Sequence, residues 1–129
     1  MKTEVLQSKF ENGNTYLLAH TVSNSDKNWN QHPQFPGVYL KNLITGDQTN
    51  NRFSSLIVRI DPGCILDTHI HEGRTELHEV MEGSGTCFLN GNEIHYSPGD
   101  CAAIPDDTVH KVIAGSNGLI IHAKFVPAL

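Results

Sequence analysis

Short runs in which apolar residues alternate with polar ones, cut every few positions by glycine, proline or asparagine, dominate this chain and predict strands throughout. Residues 15–20 read as a first strand, 38–41 as a second and 53–60 as a third, the last ended by Asp61-Pro62-Gly63. A strand bearing His69 and His71 follows, then 77–82, 86–89, 93–96, 101–104, 109–114 and 119–125. Asn90-Gly91 sits between two of these and is strongly favoured at hairpin turns. No stretch shows helical apolar periodicity with convincing caps. Nine or ten short strands at regular spacing predict an all-β sandwich or barrel. Residues 23–37 form a polar segment longer than most connections, carrying the only tryptophan, Trp29, with His32 and Phe35. The expectation is that it packs against the outer face of the barrel or a partner subunit, with a lid as the alternative.

Composition narrows this picture to a small globular domain. At 129 residues the chain encloses one core, with residues 1–50 supplying N-terminal strands and the long polar loop, and residues 51–129 the barrel core of the same domain. Nine basic against 14 acidic residues give a formal charge of −5, with no Lys/Arg cluster to track a phosphate backbone, so nucleic acid is not an expected partner. No apolar run exceeds four residues, which argues against a membrane-spanning helix, and the first residues lack the apolar stretch of a secretory signal. The expected compartment is the cytoplasm. Cys64, Cys87 and Cys101 match neither a disulfide framework nor a CxxC motif and are expected to be buried small hydrophobes, although Cys101 has the alternative of facing the cavity.

The chemistry concentrates between Gly63 and Gly83. There the chain reads glycine, five residues, His69-x-His71, four residues, Glu76, six residues, Gly83. Side chains alternate along a strand, so His69 and His71 project together while Ile70 turns away. The polar stretch Glu72-Gly73-Arg74-Thr75 suits a turn, and Glu76 then opens an adjacent strand. Two imidazoles and a carboxylate on one arc suit a divalent iron, manganese, nickel, cobalt or zinc ion. A second segment, Gly99, Pro105, Asp107 and His110, places another imidazole on a later strand.

The two segments resemble the paired motifs of the cupin superfamily. The first matches at every defined position. The second matches at Gly99, Pro105 and His110, with Asp107 where the family usually has glycine and Ala114 where it often has asparagine. Aspartate tolerates a positive φ, so Asp107 suits the same turn. The resemblance implies a double-stranded β-helix, or jelly roll, in a single domain. It also implies a divalent transition metal held by His69, His71, Glu76 and His110, and a homodimer.

His78 lies two residues beyond Glu76 and is expected to share its face, as a proton-transferring catalytic residue or as a group that only positions Glu76. Which face His122 takes is open. Arg59 is expected in solvent rather than against a substrate carboxylate, and His20, His32 and His95 read as surface or packing residues. Two functions follow from the resemblance. One is a metal-dependent enzyme on a small polar molecule, either an isomerase or lyase acting on a sugar acid or similar substrate, or an oxygen-dependent dioxygenase. The other is a non-catalytic module that binds or senses a small ligand.

Overall fold

The structure is a computed structural model that describes residues 6–129. A short helix, α1 (Leu6–Asn12), precedes ten strands: β1 (Asn14–Tyr16), β2 (Thr21–Ser23), β3 (Asn30–Gln31), β4 (Val38–Ile44), β5 (Ser54–Ile60), β6 (Ile65–His69), β7 (Thr75–Leu89), β8 (Asn92–Tyr96), β9 (Cys101–Ile104) and β10 (His110–Val126). β1 and β2 form a separate hairpin, and the larger sheet runs β3-β4-β5-β10-β7-β8, with β6 paired to β10 and β9 to β7. Every pairing is antiparallel. This is the all-β jelly roll that the strand pattern and the motif resemblance imply.

Two long strands organise it. The first half of β10 pairs with β6 and the distal half of β7, and its second half pairs with β5 and the proximal half of β7. The sequence reading divided each of these strands in two, because Gly83-Ser84-Gly85 and Gly115-Ser116-Asn117-Gly118 look like turns. Both segments instead lie within continuous strands: Gly83 and Gly85 keep partners on β10, and residues 115–118 form the irregularity between Ala114 and Leu119 where the register shifts and the strands bend. Gly83 shows why glycine is needed: its φ is +81°, and a Cβ there would lie 2.1 Å from the Gly118 carbonyl oxygen. Asn90 and Gly91 both take positive φ, 48° and 84°, as the tight β7–β8 hairpin requires.

The expected strand over residues 15–20 is in fact a hairpin. Leu17 N–H donates to His20 O (2.9 Å) across its turn, and Tyr16 and Leu18 are exposed, so that apolar run covers no core. Helix α1 departs from the strand-only expectation. It is too short to show a periodic face, and it is held from outside by Asn24 Nδ2, which donates to Phe10 O (2.8 Å), and by the packing of Phe10. The polar segment 23–37 contains a 3₁₀ turn (Asn24–Asp26) and the strand β3.

Two apolar clusters result. The larger lies between the sheet faces and includes Val38, Ile60, Val112, Leu119 and Ile121. The smaller, Leu43, Ile57 and Met81, lies on the outer face and is covered by Phe10, Trp29 and Ile120. β5 is therefore buried on both faces, as its Ser-Ser-Leu-Ile-Val run allows. Trp29 packs on the barrel's outer face, as expected. Its Nε1 donates to Glu11 Oε1 (3.1 Å), and the Arg59 guanidinium lies over its ring at 4.8 Å.

Replacing Gly83 with alanine forces a left-handed β-carbon against a backbone oxygen. Gly83→Ala is expected to cost about 2–4 kcal/mol, read as a lower urea midpoint with an unchanged m-value. A midpoint equal to the parent's contradicts the close approach.

Candidate metal centre

The ends of three strands build the site. His69 closes β6, Glu76 lies one residue into β7 and His110 opens β10, where it pairs directly with His69. His71 sits just past β6 rather than within it, so turn geometry, not strand alternation, aims its ring. That turn is fastened to the loop before β10. Asp107 N–H donates to His71 O (3.1 Å), and Gly73 N–H donates to Asp107 Oδ1 (3.1 Å). Asp107 takes φ +59°, the left-handed conformation its position demands, and its carboxylate adds a bond that glycine has no atom to make.

The imidazole nitrogens of His69, His71 and His110 lie within 4.8 Å of one another, a grouping able to hold a metal ion. Two tautomers are set by backbone carbonyls. His69 Nδ1 donates to Asp67 O (2.6 Å) and His110 Nδ1 to Thr108 O (2.9 Å), which leaves each Nε2 with a lone pair. Glu76 Oε1 lies 3.3 Å from His110 Nε2 and 3.5 Å from His71 Nε2. Glu76 Oε1 and His110 Nε2 are buried and have no hydrogen-bond partner. Buried polar atoms are almost always paired, so these two facing atoms mark a space suited to a cation.

Glu76 Oε2, by contrast, is occupied. His78 is buried behind the carboxylate, with Nε2 3.0 Å from Oε2 and Nδ1 3.0 Å from the Tyr96 hydroxyl. A carboxylate only accepts, so Nε2–H donates to Glu76, and Nδ1 accepts the Tyr96 O–H. Burial drives the Tyr96 hydroxyl above its usual range, with the Cys87 thiol beside it adding to the shift, which keeps it a donor. Burial alone pushes the Glu76 carboxyl up, but the surrounding imidazoles, His78 first among them, outweigh it and hold the group well below the usual carboxylate range.

Other expected positions lie elsewhere. Arg59 is part-exposed, with its Nε 3.6 Å from Asp61 and its guanidinium over Tyr39 and Trp29. His122 lies on the outer face, with Nε2 2.7 Å from Ser55 Oγ and its ring 5.0 Å from Phe10. Cys87 is buried as expected, but Cys64 is only half-buried. Cys101 is exposed, because β9 turns that position away from the interior. Sequence reasoning named Phe35 only as part of the docking segment 23–37, not as a neighbour of the imidazoles, and did not find Tyr96. Phe35 lies far along the chain yet reaches to 6.0 Å from the His69 ring, and Tyr96 carried only its alternation on β8 as a signal.

Burial also shifts the histidines. The His71 imidazole is held down to about 4, chiefly by desolvation against the opposing pull of Glu76, and His69 is lowered for the same first reason. Protonation therefore favours the unfolded chain, where histidine keeps its ordinary value of 6.5. In chelator-treated protein this stability contribution is full above about pH 6.5 and declines as the pH falls towards about 4. Urea midpoints should be clearly lower at about pH 5 than at about pH 7. Equal midpoints would show that these rings are not desolvated.

A family model described as a cupin domain matches residues 56–122, just over half of the chain. Quercetin 2,3-dioxygenase of Bacillus subtilis is 31% identical over 97 residues, which are 67% of this chain but only 29% of that enzyme. KdgF from Halomonas sp. superimposes with a TM-score of 0.72 at 24% identity, covering 82% of this chain and 91% of that one. A predicted oxalate decarboxylase from Thermotoga maritima also gives 0.72, at 21% identity over 81% of this chain and 96% of its own. The polyketide cyclase RemF from Streptomyces resistomycificus gives 0.69 at 22% identity, covering 82% and 77%. The structural likenesses show a common barrel, and the family model spans the strands that carry the buried carboxylate and most of the imidazoles around it: the chain belongs to the cupin family.

Proposed function

We propose that this cupin is a metal-dependent enzyme that binds a small molecule through oxygen atoms, with His69, His71, Glu76 and His110 as the protein ligands of one divalent transition ion. The observation that carries the reading is the buried, unpartnered pair Glu76 Oε1 and His110 Nε2, 3.3 Å apart beside the nitrogens of His69 and His71. A borderline ion accepts this mixture of neutral nitrogen and anionic oxygen donors, and when bound it supplies Lewis acidity towards a carbonyl, enol or carboxylate oxygen.

The chain's own groups do the rest. Glu76 offsets part of the ion's charge through Oε1, while His78 holds Oε2 and so fixes the carboxylate's orientation. The proton-transfer role expected of His78 takes a narrower form in this proposal. Both its nitrogens are engaged, so a proton on it can pass only to Glu76 or Tyr96, and we assign it a positioning role. Phe35 and Phe125 border His69 and His71 and exclude water from that side.

Two relatives bear names that support bond cleavage in an oxygen-rich molecule as the reaction class, a quercetin 2,3-dioxygenase and a predicted oxalate decarboxylase. Isomerase or lyase chemistry on a sugar acid has less support. A sugar acid would have to present its carboxylate to the ion itself, since Lys41 and Arg59 are engaged around Trp29, Lys124 with Glu79 and Arg74 with the Ala128 carbonyl.

Elemental analysis of tag-free protein is expected to find close to one equivalent of a transition metal, lost in His69→Ala and in His110→Ala without loss of the β-sheet signal. Full occupancy in both variants would refute the ligand set. Asp107→Gly relieves a left-handed side chain while removing one hydrogen bond, terms of about 1 kcal/mol each. Its stability should therefore be near the parent's, while its metal affinity falls roughly tenfold because the His71 turn keeps only the backbone bond and loses the one through the carboxylate. Unchanged affinity would show that the turn holds itself.

A further inference from the structure

Besides Glu76, aromatic rings adjoin the imidazoles. Phe125 meets His71 edge-on at 4.7 Å, and Phe35 stands tilted at 6.0 Å from His69. Behind Phe35 is a second ring: His32 stacks on it at 4.6 Å, with 30° between the planes.

The segment that presents Phe35 is held in place from both ends. His32 N–H donates to Val38 O (2.7 Å), and Gln34 N–H donates to His32 Nδ1 (3.1 Å). Gly37 takes φ +77° and lies so close to Cys64 that a Cβ would come within 2.3 Å of the Sγ. Phe35 itself packs part-buried against the main core. A ring so fixed, backed by a second ring, is a preorganised flat surface beside the ligand cluster, and it costs little conformational entropy when something lies against it.

We infer that Phe35, backed by His32, is a specificity-determining aromatic wall, and that the substrate is a planar, unsaturated or aromatic molecule carrying adjacent oxygens. The oxygens bind at the His69, His71, Glu76 and His110 cluster, and the flat apolar body lies along Phe35. This rests on the metal-site reading above. A saturated polyol or sugar acid of the same size would bring hydroxyl groups against Phe35 and leave them unpaired there.

Two oxygen-chelating probes separate flatness from chelation: 4-nitrocatechol, planar and aromatic, and oxalate, which has no ring. Each is titrated into metal-loaded parent, Phe35→Leu and Phe35→Ala protein, with metal stoichiometry measured on every sample. Leucine keeps an apolar filler in the core and removes only the ring, so it guards against a loss of folding in the alanine variant. Phe35→Leu is expected to weaken 4-nitrocatechol roughly three- to tenfold, with oxalate affinity and metal content unchanged, and Phe35→Tyr is expected to restore the catechol. Equal weakening of both probes, or of neither, in protein that keeps its metal overturns the aromatic wall while leaving the metal site standing. Parent protein that takes up no metal overturns both readings.

Discussion

The antiparallel ladder between β7 and β10 is the constraint from which the site follows. Its register sets Phe125 opposite Glu76 and Ala123 opposite His78, while at the other end of β10 His110 pairs with His69 of β6. A one-residue slip would turn Glu76 and His78 to the outer face and bring Leu77 and Glu79 inward. The slip is opposed by burial, since Val80, Ile121, Ala123 and Phe125 fill the interior while Met81 and Ile120 fill the outer cluster. Both faces of the ladder are thus committed to apolar contacts, and the polar site inherits its precision from them.

Within that frame the polar groups are satisfied outward and left open inward. The Nδ1 atoms of His69 and His110 are taken by carbonyls, Glu76 Oε2 by His78, and His78 Nδ1 by Tyr96. What remains without a partner points to one place, at Glu76 Oε1 and His110 Nε2. A carboxylate with these neighbours stays ionised although it is buried, and the His71 and His69 imidazoles stay neutral although a carboxylate is near. Those are the protonation states a cation requires of its ligands.

The sequence made some of this legible and hid the rest for physical reasons. His69, His71, Glu76 and His110 stood out because ligand spacing and flanking glycines are local properties, and Asp107 because few residues other than glycine accept a positive φ. Asn90-Gly91 announced its hairpin in the same way. Strand continuity was harder to read. Gly83 and Gly118 look like chain breaks but serve as points of close approach inside a bent ladder, a distinction that depends on the partner strand. Helix α1 escaped notice because its stability comes from the contacts of Phe10 and Asn24 rather than from its own periodicity. Phe35 could not be tied to His69 at all, since a loop side chain meets a strand end through tertiary folding alone. Cys101 shows the converse, a residue type usually buried that β9 turns outward.

X-ray absorption at the edge of the metal that co-purifies with the protein tests the central claim most directly, because it reads the donor atoms themselves. The account predicts light nitrogen and oxygen scatterers at roughly 2.0–2.2 Å, with the multiple-scattering pattern of three imidazoles. A sulfur scatterer near 2.3 Å, or a shell without imidazole scattering, would contradict it.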